Sequence, residues 1–154
     1  MLGRLKHRVQ KFFRLSTKIK ILIFVSFLIM GFIRFLILIV PSNRVISLMG
    51  RERLESPESL NKTAQERALK VGWAIDIMRH HTPWQSKCLV TALSAQLILK
   101  ILHIPSTLYL GVSKADTNKM IAHAWLRSGE HIITGAIDKD AFQCVTYFST
   151  EFKK

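Results

Sequence analysis

Between Ile21 and Val40 only three residues, Ser26, Gly31 and Arg34, are not apolar. Such a run has to leave water, either into a bilayer, whose hydrocarbon core takes about 20 helical residues, or against the rest of the chain. Seven cations (Arg4, Lys6, Arg8, Lys11, Arg14, Lys18 and Lys20) and no acid precede it. Seventeen apolar side chains at roughly −0.3 to −0.6 kcal/mol each outweigh one central Arg at about +2.5 to +3.5 kcal/mol, so insertion is feasible. The competing expectation is an apolar helix pair, broken near Gly31 and Arg34, that packs on a domain or lies in the interface with its cations drawn to anionic lipid. A cleavable signal peptide fits poorly, because the basic stretch is long and no small-x-small site follows.

The charge distribution sharpens this expectation. Of 23 Lys and Arg, eleven fall before Leu54 against a single acid, Glu52, while the remaining 101 residues carry twelve against nine. Basicity therefore belongs to the N-terminal third. Phe12 and Phe13 beside the apolar run suit a lipid interface better than a phosphate backbone, so no nucleic-acid partner is expected. An apolar fraction of 49% excludes a disordered chain, and two cysteines cannot make a disulfide scaffold. The sequence divides into a basic segment 1–20, a hydrophobic helix 21–40 that spans or lies on the membrane, and one domain over 41–154.

Past Pro41 the pattern becomes that of a soluble domain. A short helix is expected from Arg44 to Gly50. Ser56, before Pro57 and Glu58, is placed to cap a helix running to about Arg79, with Leu60, Ala64, Ala68, Val71, Ile75 and Met78 at helical spacing. A further amphipathic helix runs from Ser86 or Lys87 to Leu102, with Leu89, Leu93, Leu97 and Ile101 on one stripe. After Pro105 the period falls to two, and strands are expected over 106–113, 120–127, 130–134 and 143–149, with turns at 115–118 and at Ser128-Gly129. Helices followed by an antiparallel meander make an α+β fold.

Two residues carry the chemistry that this order makes possible. Cys88 falls in the first turn of a helix, where unsatisfied N–H groups and the positive dipole end favour a thiolate; a lone cysteine is also an ordinary small core residue. His123 sits between Ala122 and Ala124 on a strand that puts Ile121, His123 and Trp125 on one face. Brought together, a thiol and an imidazole form the minimal unit of cysteine nucleophilic catalysis.

Trp84-Gln85-Ser86-Lys87-Cys88-Leu89, then Ala92-Leu93-Ser94-Ala95-Gln96-Leu97, His103-Ile104-Pro105, Leu110-Gly111-Val112 and Ala122-His123-Ala124-Trp125-Leu126 resemble, in this order, the transglutaminase-like cysteine protease of lasso-peptide biosynthesis. Phe35 to Gly50 and Val71-Gly72-Trp73-Ala74 are similar to its helical N-terminal part. The resemblance implies a transglutaminase-like, papain-like cysteine protease fold, with Cys88 as nucleophile and His123 as base. The substrate would be a ribosomal precursor peptide whose leader is removed before macrolactam closure. It implies no cofactor, a small leader-binding protein acting in trans, a macrolactam synthetase as a further partner, and a bacterial setting at the cytoplasmic face of the membrane. That setting conflicts with a single span, which would put Cys88 outside the cell by the seven-to-three excess of flanking cations. An interfacial or re-entrant anchor held to anionic lipid through residues 1–40 removes the conflict.

One element departs from the family pattern. The triad there ends in an Asp that orients the imidazole, whereas a tight Ser128-Gly129 hairpin puts Thr134 or Gly135 opposite His123. Asp138 and Asp140 are the nearest acids, Asp138 being the candidate third residue, with a carbonyl or the Thr134 hydroxyl as the alternative. Gln85 is a candidate oxyanion donor alongside the Cys88 N–H, and Trp84 and Trp125 are candidate walls of a substrate groove. His80 and His81 lack the spaced partners of a zinc site, so no metal is expected. A membrane-attached, catalytically weak transglutaminase-like module that only binds or scaffolds a peptide, and an amide-transfer enzyme using the same pair, are the other functions compatible with these residues.

Overall fold

The computed structural model describes residues 15–47, 50–83, 87–114, 120–137 and 139–150. Its elements, in order, are α1 (Thr17–Ile39), α2 (Ser42–Ser47), β1 (Arg51–Glu52), α3 (Lys62–Arg79), α4 (Cys88–Ile101), β2 (Ser106–Lys114), β3 (Met120–Ser128), β4 (His131–Thr134), a single 3-10 turn (Lys139–Ala141) and β5 (Gln143–Thr150). The strands form one antiparallel sheet in the order β1-β5-β2-β3-β4. The α+β architecture read from the switch of period is the one observed, and β1 is a short edge strand that the sequence pattern did not signal.

Period two sorts the sheet into unlike faces. Leu108, Ala124 and Leu126 point to the helices and are buried with Leu93 and Leu99 of α4 in the main core, with Phe148 packed against it. Burying side chains of this kind gives about 1.5–3 kcal/mol each. The other face carries Tyr109, Trp125 and Tyr147 in an aromatic row, with Tyr109 stacked on Trp125 at 5.5 Å and tilted against Tyr147 at 5.7 Å. Arg127 closes that row. Its Nε donates to the Tyr109 hydroxyl at 3.0 Å, and its Nη2 to the Glu55 carboxylate at 2.9 Å and to the Ser56 carbonyl at 3.0 Å.

Helix α4 lies against β2, β3 and β4, with α3 beside it, and α1 packs on both α3 and α4. This sandwiching explains why Val90 to Gln96 of α4 are all buried rather than one stripe of them, while Ile101, expected on the buried stripe, is exposed at the helix end. Helix α3 approaches β4 so closely at Gly72 that a Cβ there would stand 2.6 Å from the Ile133 carbonyl oxygen.

Three expectations need correction. Ser56 does not cap α3: it is buried, its N–H donates to Thr107 Oγ1 at 2.8 Å and its hydroxyl bonds the same oxygen, while Asn61 Oδ1 accepts from the Ala64 N–H and starts the helix there. Asn is as good a cap as Ser, and the Ser56 hydroxyl is already engaged by the sheet. Helix α1 is not broken at Gly31 or Arg34 but runs through both. A glycine costs a helix about 1 kcal/mol, and the buried stripe Ile23, Ser26, Met30 and Ile33 outweighs it. The β3–β4 turn falls at Gly129-Glu130, with Ser128 opposite His131, which shifts the register by two, and a bulge between Leu126 and Arg127 shifts it by one more, so that Thr134 lies opposite Leu126 instead of His123. The turn at 115–118 lies outside the described residues.

Candidate active site

Cys88 is the first residue of α4. Lys87 stands at the cap position and its side chain makes no cap hydrogen bond to the N–H groups of the first turn. The helix carries no acid in that turn, leaving its positive end uncompensated. Thr91, one turn on, donates its hydroxyl to the Cys88 carbonyl at 2.8 Å. Cys88 is half-buried and packed against the core.

His123 is held by groups from two other segments. The Phe142 ring stacks on the imidazole with centroids 4.8 Å apart, and Trp125, two residues along the strand, lies 6.0 Å away on the same face. Its Nε2 is 3.0 Å from the carbonyl oxygen of Gly135. A carbonyl can only accept, so Nε2 carries the proton, and in the neutral ring Nδ1 is left with its lone pair. Gly135 is suited to this place: its φ is +74°, and a Cβ would stand 2.6 Å from the Ala124 carbonyl oxygen.

Cys88 and His123 open onto one cavity of about 420 Å³. Leu69, Trp73 and Asp76 of α3 form one wall, and the segment from Ile132 to Ile137 forms the other. The cavity is mainly apolar. Its charged margin is the Asp76–Arg79 ion pair at 2.7 Å, both partners largely in water. Thr134 belongs to the wall, and its Oγ1 is buried without a hydrogen-bond partner among the described residues.

The structure thus gathers Cys88, His123 and Thr134 around one space. The role weighed for the Thr134 hydroxyl, orienting the imidazole, falls to the carbonyl of its neighbour Gly135. Trp125 is buried within the aromatic row, between Tyr109 and His123, and is not part of the cavity wall. Trp84, Gln85 and Asp138 lie outside the described residues. Asp140 is exposed and paired with Lys139. Among the described residues no three His, Cys, Asp or Glu side chains are grouped so as to hold a metal ion.

Sequence reasoning named Gly135 only as a residue opposite His123, and it missed Phe142, Leu69 and Trp73. For the last two a signal existed, since two large apolar side chains four apart lie off the core stripe of α3 and stay more than two-fifths exposed. Gly135 was placed by the hairpin register, and its residue type added nothing because its contribution is a backbone carbonyl.

No curated protein and no solved structure matches the chain significantly. The family comparison is positive: residues 37–146, from the end of α1 into β5 and including both Cys88 and His123, match the transglutaminase-like superfamily. The chain therefore belongs to the transglutaminase-like superfamily.

Proposed function

We propose that the protein is a cysteine peptidase that removes the leader from a ribosomally made precursor of the lasso-peptide type. The observation that carries the catalytic part is the shared cavity of Cys88 and His123, with the Nε2–H of the imidazole committed to the Gly135 carbonyl. The finer part, the leader and the lasso class, rests on the ordered sequence resemblance around Cys88 and His123 and brings with it a leader-binding protein in trans and a macrolactam synthetase.

In this mechanism His123 Nδ1 takes the Cys88 thiol proton as sulfur attacks the scissile carbonyl. The oxyanion that forms draws on N–H groups at the start of α4, with Gln85 as a proposed additional donor. Nδ1–H then protonates the leaving amine, the C–N bond breaks and a thioester remains. Water enters, gives a proton to Nδ1 and attacks the thioester; the C–S bond breaks, and the thiol is restored with release of the carboxylic acid. Asp138 follows Ile137 of the cavity wall in sequence and is proposed to stabilise the imidazolium electrostatically. The unpartnered Thr134 hydroxyl is available to a peptide backbone in the apolar cavity, alongside Trp73 and Leu69.

The test is incubation of the full chain with a precursor peptide and its leader-binding protein, read by mass. Cleavage at one bond, lost in Cys88→Ala, supports the proposal. Acylation of an added amine in place of hydrolysis would make the protein an amide-transfer enzyme, and binding of the precursor without either reaction would make it a peptide-binding module.

A further inference from the structure

Helix α1 has two opposite apolar sides with different fates. Ile23, Ser26, Met30 and Ile33 are buried against α3 and α4, and Leu22, Ile29, Leu36, Ile37 and Val40 extend that contact along the helix. Ile21, Phe24, Leu28, Phe32, Phe35, Leu38 and Ile39 are each more than half exposed. At about 100° per residue the exposed set covers an arc of roughly 120°, opposite the buried set. The helix is 23 residues long and contains an 18-residue stretch with a mean hydropathy of 2.7, enough to cross a bilayer by length and composition.

Its packing decides between crossing and lying flat. Because α3 and α4 run beside α1 through most of its length, a crossing helix would carry them into hydrocarbon, and α3 exposes Lys62, Glu66, Arg67 and Lys70. Charged groups on a lipid-facing surface are strongly disfavoured. The cations of α1 point the same way. On the helical wheel Lys18, Lys20 and Arg34 lie on the two flanks of the exposed arc, about 70–110° from its centre. In a crossing helix Arg34 would sit within the hydrocarbon. In a helix lying flat it reaches the headgroup level, as do the two lysines.

We propose that α1 is a fixed in-plane membrane foot. One side is part of the protein core, the Phe24, Leu28, Phe32, Phe35 and Leu38 side enters the upper acyl region of an anionic bilayer, and Lys18, Lys20 and Arg34 meet lipid phosphates. The complementarity that selects a bilayer over a second copy of the chain is this charge: seven cations and no acid occur up to Lys20, and two of them flank the apolar arc. Nothing in the proposal depends on the peptidase activity.

The experiment uses the full chain and vesicles of phosphatidylcholine alone or with 30 mol% phosphatidylglycerol, read by flotation. Binding is expected to be at least tenfold stronger on the anionic vesicles at low salt and to persist in part at 0.5 M salt. The triple variant Phe24→Ser, Phe32→Ser, Phe35→Ser should lose the salt-resistant part while keeping its circular dichroism. Single variants Phe24→Trp, Leu28→Trp, Phe32→Trp and Leu38→Trp, quenched by brominated lipids, should report one shallow depth along the helix. A profile shallow at both ends and deep in the middle would overturn the proposal in favour of a span. Failure to float, together with a dimer in solution that the triple variant dissociates, would overturn it in favour of a second copy as the occupant.

Discussion

His123 donates its Nε2–H to the Gly135 carbonyl at 3.0 Å, so the imidazole is oriented by main chain that follows β4. The acceptor is itself fixed by conformation, because Gly135 is in the left-handed region and lies against the Ala124 carbonyl. A side chain at position 135 costs about 1–2 kcal/mol for the backbone alone and forces the two strands apart. Gly135→Ala is therefore expected to lower kcat by about 10- to 100-fold, within the range attributed to general acid–base catalysis, with far-ultraviolet circular dichroism retained. Unchanged turnover would show that this carbonyl does not position the base.

Cys88 is the proposed nucleophile, and no second thiol lines the cavity among the described residues. Cys88→Ala should abolish leader removal while precursor binding persists, and Cys144→Ser should keep activity because Cys144 lies exposed in β5. His123→Ala should lower turnover by several orders of magnitude and slow alkylation of Cys88. Alkylation of Cys88 at identical rates in the two proteins would show that the thiol and the imidazole do not interact.

If the Gly135 carbonyl orients the imidazole in place of a carboxylate, Asp138 acts through its charge alone. Asp138→Asn should lower turnover less than ~10-fold, far short of the ~10⁴-fold loss that follows replacement of a triad Asp. Asp140→Asn, removing an exposed charge paired with Lys139, should have no effect. A loss of two or more orders of magnitude in Asp138→Asn would return the orienting role to that carboxylate.

The second thiol offers a pH test. Cys144 is exposed by surface area, yet the surroundings of its sulfur decide its titration: local burial first, then the Glu55 carboxylate, push the thiol above its ordinary range, and a hydrogen bond with the Thr146 main chain partly opposes them. A raised value means the neutral thiol persists to higher pH, so the reactive thiolate is scarcer at neutrality. In Cys88→Ala, iodoacetamide should label Cys144 more slowly than free cysteine at pH 7.5, with the rate still rising beyond the pH where free cysteine levels off. A rate equal to that of free cysteine across the range would contradict the shift.

What the sequence shows of this site follows from which contributions are side chains. Cys88 at a helix start and His123 between alanines on a strand are visible as residue types in a period, and both reach the cavity. The third partner was open because a carbonyl has no residue signature, and because the one-residue shift of the turn together with the β4 bulge moved Thr134 from His123 to Leu126. Periodicity placed α3, α4 and the strands to within a few residues but misjudged Ser56, whose hydroxyl is bonded to Thr107, fifty-one residues away. Gly31 and Arg34 looked like breaks in α1 because propensity is local, whereas the packing that keeps the helix continuous comes from α3 and α4.

That packing yields the last expectation. Met30 and Ile33 are fully buried where α1 meets the domain, while Phe32, between them in sequence, is 55% exposed on the opposite side. If α1 is part of the fold, Met30→Ala removes a core side chain and leaves a cavity, which costs about 2–5 kcal/mol. Phe32→Ser alters a surface position, where a change within about 0.5 kcal/mol is normal. Urea unfolding of the full chain in nonionic detergent, followed by the fluorescence of its three tryptophans, should show the midpoint falling for Met30→Ala and staying in place for Phe32→Ser. Equal midpoints in both variants would mean that α1 is an appended anchor and that the transglutaminase-like domain holds together without it.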